Sequence, residues 1–368
     1  MNLIDLGWND FFAQDFEKYE SRGFIPFRVN QEHKELYMLL GECGELRGEV
    51  TGKFRFNATS RANYPAVGDW VVATPYDSEG KAIIHAVLNR RSYFSRRAVL
   101  SGGMPETGGE TDEQVLAANI DTVFLVNALD NDFSIRRIER YLSAAWDSGA
   151  SPVIVLNKAD LCDEIDEKIA GVEAVAMGVP IHAISAADNR GFEQLGSYLD
   201  RGQTVVLLGS SGVGKSTMIN SLLGEERLKT GSVREYDGKG RHTTTYRELL
   251  LLPGGAIIID TPGMKLLKIW DGEESISQIF SDIEELIAQC KFADCRHENE
   301  PGCAVRAAIE SGKLDSERLE NYLKLQKEQK FLASRKNQRE ARKQQRDRGK
   351  YYKRVLNEQA DLRKKRLI

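Results

Sequence analysis

Apolar positions change rhythm twice along this chain. Between residues 36 and 97 they fall in short runs, alternating or continuous and broken by glycine, at 36–40, 46–50, 53–57, 69–73 and 82–88. Five such runs within about sixty residues predict a small β-barrel, with the five-stranded OB-fold the economical candidate; periodicity alone leaves an SH3-like barrel open. Residues 1–34 mix aromatic and polar positions and predict one or two short helices packed on the segment after them. The stretch 101–111, with Gly102, Gly103, Gly108 and Gly109, reads as a linker or mobile loop.

From Asp121 onward, apolar runs of the buried-strand type at 122–127, 152–156, 180–184 and 204–208 alternate with helical patterns at 135–147, 164–176, 192–199 and 215–223. Two more strands, 249–252 and 256–259, flank a Pro-Gly-Gly turn. This alternation predicts a parallel or mostly parallel sheet covered by helices on both faces. Beyond Ile276 the pattern is helical, interrupted by a cluster of Cys and His, and it ends in a long polar helix over 315–360 with a break at Gly349. The expected organisation is a multidomain chain: an N-terminal extension (1–34), an OB-fold barrel (35–100), an α/β domain (112–268), and a small α-helical domain with a basic C-terminal helix (269–368).

Charge adds one feature to this picture. The formal net charge is −4, yet from Lys313 to the end there are 19 Lys and Arg against 8 Asp and Glu. An acidic body with a basic tail is the distribution of a protein that touches a polyanion. Tyr351, Tyr352 and Phe331 are interleaved in that tail, and the basic-aromatic run from Arg90 to Arg97 forms a second candidate RNA-contacting patch. No apolar run approaches the roughly 18 residues a membrane span needs, and no leader pattern opens the chain. A cytoplasmic monomer without membrane contact is expected.

The chemistry is concentrated at strand ends. Gly209-Ser210-Ser211-Gly212-Val213-Gly214-Lys215-Ser216-Thr217 follows a predicted strand and opens a predicted helix, and it matches the phosphate-loop pattern in full. Glycines let successive backbone N–H groups surround phosphates, Lys215 reaches the terminal phosphates, and Ser216 offers a hydroxyl to Mg²⁺. Asn157-Lys158-Ala159-Asp160 follows strand 152–156 at its carboxyl end. A carboxylate at Asp160 can accept from guanine N1–H and the exocyclic amine, which adenine cannot match. That argues against an ATPase or kinase. Lys158 would pack over the ring, Asn157 would tie this loop to the phosphate loop, and Ser185-Ala186 at the next strand end would present the Ala186 N–H to the guanine oxygen. Asp260-Thr261-Pro262-Gly263 ends strand 256–259, with Asp260 expected to support Mg²⁺ through water and the Gly263 N–H to meet the γ-phosphate. Gly240-Arg241-His242-Thr243-Thr244-Thr245 lies between as a candidate switch loop, in which the hydroxyl of Thr244, or of its neighbours Thr243 or Thr245, would complete the Mg²⁺ shell. Guanine reading thus precedes phosphate binding, so the domain reads as a circularly permuted P-loop GTPase.

Cys290, Cys295, His297 and Cys303 supply three thiolates and one imidazole within fourteen residues, the ligand set of one closed structural Zn²⁺ site. Cys43 and Cys162 read as packing residues.

Barrel, permuted GTPase domain and Cys/His module, in this order and with these motifs, resemble the ribosome-small-subunit-dependent GTPase A (RsgA) family from about Leu36 to the tail. The resemblance implies a GTPase that binds the small ribosomal subunit through rRNA, acts late in its assembly, hydrolyses GTP to GDP with subunit-stimulated turnover, and then leaves. Met264 stands where many GTPases carry a water-orienting glutamine. Members of the family carry a hydrophobic residue there, which leaves His242 as the candidate water-positioning group beside Lys215 and Thr244. An alternative reading makes the chain a GTP-state-controlled RNA-binding module in which hydrolysis serves only release.

Overall fold

Five strands whose inward residues are apolar close the barrel. β1 (Ile25–His33), β2 (Leu36–Gly41), β3 (Gly44–Val50), β4 (Trp70–Tyr76) and β5 (Lys81–Val87) pair in the order β1-β2-β3-β5-β4, and β4 returns to β1. Phe27, Val29, Leu39, Val71, Ala73 and Ile84 fill the interior. This is a closed, OB-like barrel in a computed structural model that describes residues 1–33, 36–76, 80–99, 111–228, 247–260, 276, 279–292, 294–298 and 300–327. The barrel and the α/β domain belong to one compact unit, Met1–Lys268, and the remainder, Ile269–Ile368, forms a second. The expected linker at 101–110 and the tail from 328 lie outside the described residues.

Two sequence expectations change here. The run at 53–57 is not a strand but the short helix α2 (Gly52–Asn57), the second in the chain after α1 (Asp10–Glu20). Thr51 closes β3 and its Oγ1 accepts from the Phe54 N–H at 3.0 Å, which starts the helix. Phe54 packs on the barrel while Phe56 is 89% exposed. The missing strand is β1, inside the segment expected as an N-terminal extension. Arg28, a charge in the middle of it, is what hid its alternation.

Arg28 faces away from the barrel interior and is buried to 1% exposure. Its guanidinium donates to the backbone oxygens of Gly68, Asn119 and Leu6, and to Thr204 Oγ1 at 2.8 Å. Burial draws its pKa down to about 9, against the opposing pull of Asp69. It therefore remains charged at neutral pH, with its N–H groups committed to four acceptors from three parts of the unit. The N-terminal segment completes this seam. Leu6, Phe12 and Phe16 pack on Trp70, Val72 and Leu88 across the outer face of the barrel. Gly7 approaches so closely that a Cβ there would lie 2.7 Å from the Gly202 oxygen.

The α/β domain begins with the hairpin β6 (Tyr93–Val99) and β7 (Thr111–Ala118), then β8 (Thr122–Ala128), α3 (Ile135–Ser148), β9 (Ser151–Asn157), α4 (Ile165–Glu173), β10 (Ile181–Ala183), β11 (Thr204–Leu208), α5 (Lys215–Leu223), β12 (Glu248–Leu251) and β13 (Ile257–Asp260). β10, β9, β8, β11 and β13 lie parallel, and β12 runs antiparallel to β13. β8, β9 and β11 are buried along almost their whole length, which is why they read as continuous apolar runs. The expected helix at 192–199 is a 3-10 turn, Phe192–Tyr198. β12 also pairs with β1 at Gln31 and Glu248, so one eleven-stranded sheet runs through barrel and domain.

In the second unit α6 (Ser281–Ala288), α7 (Ala304–Glu310) and a helix over 316–327 share a small core of Phe280, Ile283, Val305, Leu319 and Tyr322. Arg318 pairs with Asp282 at 2.9 Å and lies over the Phe280 ring. Among the described residues, no helix is long and apolar enough to cross a membrane.

Candidate nucleotide site and metal centre

β9 ends in Asn157, buried to 1% exposure, where the parallel strands present their carboxyl ends. Its Nδ2 donates to the Val213 oxygen at 2.7 Å, and its Oδ1 accepts from the Ala186 N–H at 2.9 Å. One side chain thus ties the guanine motif, the phosphate loop and the Ser185-Ala186 turn together. The sequence expectation for the Ala186 N–H was a guanine oxygen; in the structure it is occupied by Asn157. The contact also explains Gly214: a Cβ there would lie 2.2 Å from Asn157 Nδ2, and its φ is +94°. Gly209 is held as tightly, with a Cβ position 2.3 Å from the Val126 oxygen.

The loop from Gly209 runs into α5 at Lys215, whose Nζ donates to the oxygens of Gly209 and Ser210 at 2.8 and 2.6 Å. Ser216 and Thr217 lie in the first turn of α5. Ser211 and Gly212 are exposed, whereas Val213 is buried in the domain core with Met218. Lys158 takes a left-handed backbone (φ 63°), and Ala159 donates to the Ile184 oxygen. Asp160 is exposed at the start of the next turn. Its carboxylate is therefore accessible to a base edge.

Asp260 ends β13, directly opposite Glu248 of β12. Burial pushes its carboxyl pKa up, Glu248 adds to that, and Lys215 pulls the other way. A carboxylate held at this strand end, within electrostatic reach of Lys215, is a ligand type that suits a hard cation such as Mg²⁺. His242, Thr243, Thr244 and Thr245, with Thr261, Pro262, Gly263 and Met264, lie outside the described residues.

Sequence reading missed the turn after β8. Asp130 pairs with Lys158 at 2.7 Å, and Asp132 accepts from Ser210 Oγ at 2.9 Å. The available signal was position, since this turn comes at the carboxyl end of a central strand. The basic-aromatic run at 90–97 divides between buried and exposed positions. Arg90 pairs with buried Asp69 and donates to Ala62 and Tyr64 oxygens, Arg91 pairs with Asp121, and Phe94 is buried. Arg90, Ser92 and Phe94 of that run are structural, while Arg91, Tyr93 and Arg96 are exposed. Cys43 is exposed rather than packed.

In the second unit the ligand atoms of Cys290, Cys295, His297 and Cys303 lie within 4.8 Å of one another. Cys290 Sγ is 3.7 Å from His297 Nδ1 and 3.9 Å from Cys303 Sγ, and Nδ1 is 3.4 Å from Cys303 Sγ. A tetrahedral ion with ~2.3 Å sulfur bonds would separate its sulfurs by about 3.8 Å. The residues therefore form a Cys₃His metal-ligand cluster. Burial and the neighbouring sulfurs push the Cys295 thiol up to about 11, so without a cation this thiol stays protonated at neutral pH.

Residues 87–270 match the family model described as RsgA GTPase. A protein of Opitutus terrae named small ribosomal subunit biogenesis GTPase RsgA is 48% identical over 91% of this chain and 92% of its own length. The chain belongs to the RsgA GTPase family. A relative from Lactiplantibacillus plantarum, bearing the same name with the suffix 2, is 46% identical over 94% of each chain. Among solved structures, YjeQ from Thermotoga maritima matches with a TM-score of 0.58 and 31% identity, over 82% of this chain and 97% of that one. YloQ, described as a circularly permuted GTPase, shares the fold with a TM-score of 0.56, over 85% and 96%. Like the family, the chain is a GTP hydrolase with a permuted domain. Its order of motifs arises from a sheet whose phosphate-loop strand, β11, is fourth in sequence rather than first among the parallel-sheet strands.

The raised Asp260 pKa gives a stability prediction. A carboxyl whose folded pKa exceeds its unfolded value costs stability in its ionised form; that cost is full above the raised value and vanishes below the ordinary 3.8. Asp260→Asn should therefore raise the melting temperature of the nucleotide-free protein by a few degrees at pH 7 to 8. The gap to the unmutated chain should close as the pH falls towards 4. Calorimetry across that range reads both.

Proposed function

We propose that the chain acts in maturation of the small ribosomal subunit, binding it through rRNA as a cytoplasmic monomer and turning over GTP faster in its presence. The GTP reading rests above all on Asn157, whose single side chain joins the guanine motif to the phosphate loop. The ribosomal reading rests on near-full-length relatives that carry that role in their names, with the basic tail from Lys313 as the electrostatic complement to rRNA.

In this reading, backbone N–H groups of residues 209–217 surround the β- and γ-phosphates, and Lys215 turns from its loop carbonyls to the terminal phosphates. Asp160 reads guanine, and Lys158 packs on the ring. Ser216 and Thr244 hold Mg²⁺ directly and Asp260 holds it through water; the ion neutralises charge developing on the phosphate oxygens. The Gly263 N–H meets the γ-phosphate. His242 orients water, because Met264 cannot. The central experiment measures GTP turnover with purified small subunits, large subunits and neither. Small subunits alone should accelerate it, and His242→Ala should abolish most of that acceleration; equal rates in all three conditions would sink the ribosomal assignment.

Asp160 carries its own test. Xanthine replaces guanine's exocyclic amine with a carbonyl, so it needs a donor where guanine needs an acceptor. Asp160→Asn should lose GTP affinity by about 100-fold or more and gain affinity for xanthosine triphosphate. A variant that still prefers GTP would refute the base-reading role.

Zn²⁺ is the proposed occupant of the Cys₃His cluster, holding together a unit whose own core is small. Metal analysis of the purified chain should find one zinc per molecule. Chelation should unfold residues 276–327 while leaving guanine-nucleotide binding in place.

A further inference from the structure

The turn between β8 and α3 touches both halves of the nucleotide site at residues only two apart. Asp130 Oδ2 accepts from Lys158 Nζ at 2.7 Å, on the guanine side. Asp132 Oδ2 accepts from the hydroxyl of Ser210, second residue of the phosphate loop, at 2.9 Å. Arg137, in the first turn of α3, grips Asp132 with both ends of its fork, Nη1 to Oδ2 at 2.6 Å and Nη2 to Oδ1 at 2.9 Å. Its Nη1 also lies 3.1 Å from Ser210 Oγ and from the Asp132 backbone oxygen.

The turn itself is firmly set. Asp130 Oδ1 accepts from the Asp132 N–H at 2.9 Å, and the Phe133 N–H donates to the Asp130 oxygen at 2.9 Å. At its start the Leu129 N–H donates to the Asn157 oxygen at 2.8 Å; at its end Asn127 Nδ2 donates to the Ser134 oxygen at 3.2 Å. A rigid turn therefore joins two loops that must keep a fixed separation.

Electrostatics makes the two carboxylates unexpected. A site for a polyanion gains nothing from Asp130 and Asp132 at its edge unless their charges are matched. Each is matched by a cation within the site. Burial acts to raise the Asp130 pKa, but the Lys158 hydrogen bond, the Asp132 N–H and the Lys158 charge together outweigh it, and the net shift is downward. The Arg137 fork holds Asp132 below the usual carboxylate range. Asp132 is 50% exposed, so the pair adds little to stability. Its effect lies in geometry, since a planar fork fixes the carboxylate's orientation as a lysine cannot.

We infer that the β8–α3 turn is a strut that sets the spacing between Lys158 and the phosphate loop, with Asp130, Asp132 and Arg137 as positioning residues for guanine-nucleotide retention. It rests on the assignment of Lys158 to the guanine and Ser210 to the phosphate side.

Dissociation of a fluorescent GDP, followed by stopped flow in the full chain, tests the strut. Asp132→Asn and Ser210→Ala should each speed release by roughly three- to ten-fold. Their double variant should be no faster than the faster single, because Asp132 acts through Ser210. Arg137→Lys, which keeps the charge and loses the fork, should also release faster. Melting temperatures of all four should stay within about a degree of the unmutated chain. Effects that multiply in the double variant, an unchanged rate in Asp132→Asn, or release that tracks a lowered melting temperature would overturn the strut. A wild-type control that binds no guanine nucleotide would instead remove the reading beneath it.

Discussion

The buried amide of Asn157 is the contact on which the nucleotide site depends. Three loops end at the carboxyl edge of the sheet, and each would be free to drift on its own strand. One side chain with a donor and an acceptor, shut away from water, fixes all three relative to one another. A buried amide left with either end unpaired loses a bond and keeps the desolvation cost, so the arrangement resists partial opening. Gly214 is forced by the same contact, because no side chain fits against the amide nitrogen. The turn after β8 adds an outer, solvent-facing brace of charged groups to this inner neutral one.

Barrel and GTPase domain are joined by comparable means. Arg28 places a full charge among backbone carbonyls at the amino-terminal ends of the central strands, opposite the nucleotide. Its burial is tolerated because every direction of the guanidinium finds an oxygen. The pairing of β1 with β12 makes the two sheets continuous. β12 pairs in turn with β13, which ends at Asp260, so the barrel is one strand removed from a strand that leads into the site. The N-terminal helix and its aromatic cluster cover the outside of this seam.

Legibility in the sequence tracked the range of the interaction. The phosphate loop, the Asn157 to Asp160 motif and the Cys/His spacing were readable because their chemistry needs particular residue types at short fixed intervals. β11 and α5 were placed to the residue, since a fully buried strand and a glycine-led helix start both leave local signals. β1 was not recognised, because Arg28 breaks the apolar alternation for a partner that lies 176 residues away. α2 imitates a strand because Phe54 and Phe56 alternate with polar residues, as on one strand face; in the helix they instead point apart, Phe54 inward and Phe56 outward. Within the run at 90–97, the counter-charges of Arg90 and Arg91, Asp69 and Asp121, come from distant segments that no local pattern reveals.

By itself, then, the sequence carried the phosphate-loop pattern, the Asn157–Asp160 motif, the Cys/His cluster and their permuted order, all of them contiguous motifs. Only the tertiary structure decided how those motifs are held. It assigned the Ala186 N–H to Asn157, brought Asp130 and Asp132 to the edge of the site, and turned an apparent N-terminal extension into a wall of the barrel. The physical reason is common to all three. A hydrogen bond or ion pair between residues far apart in the chain depends on where the sheet delivers each strand end, and no local pattern records that.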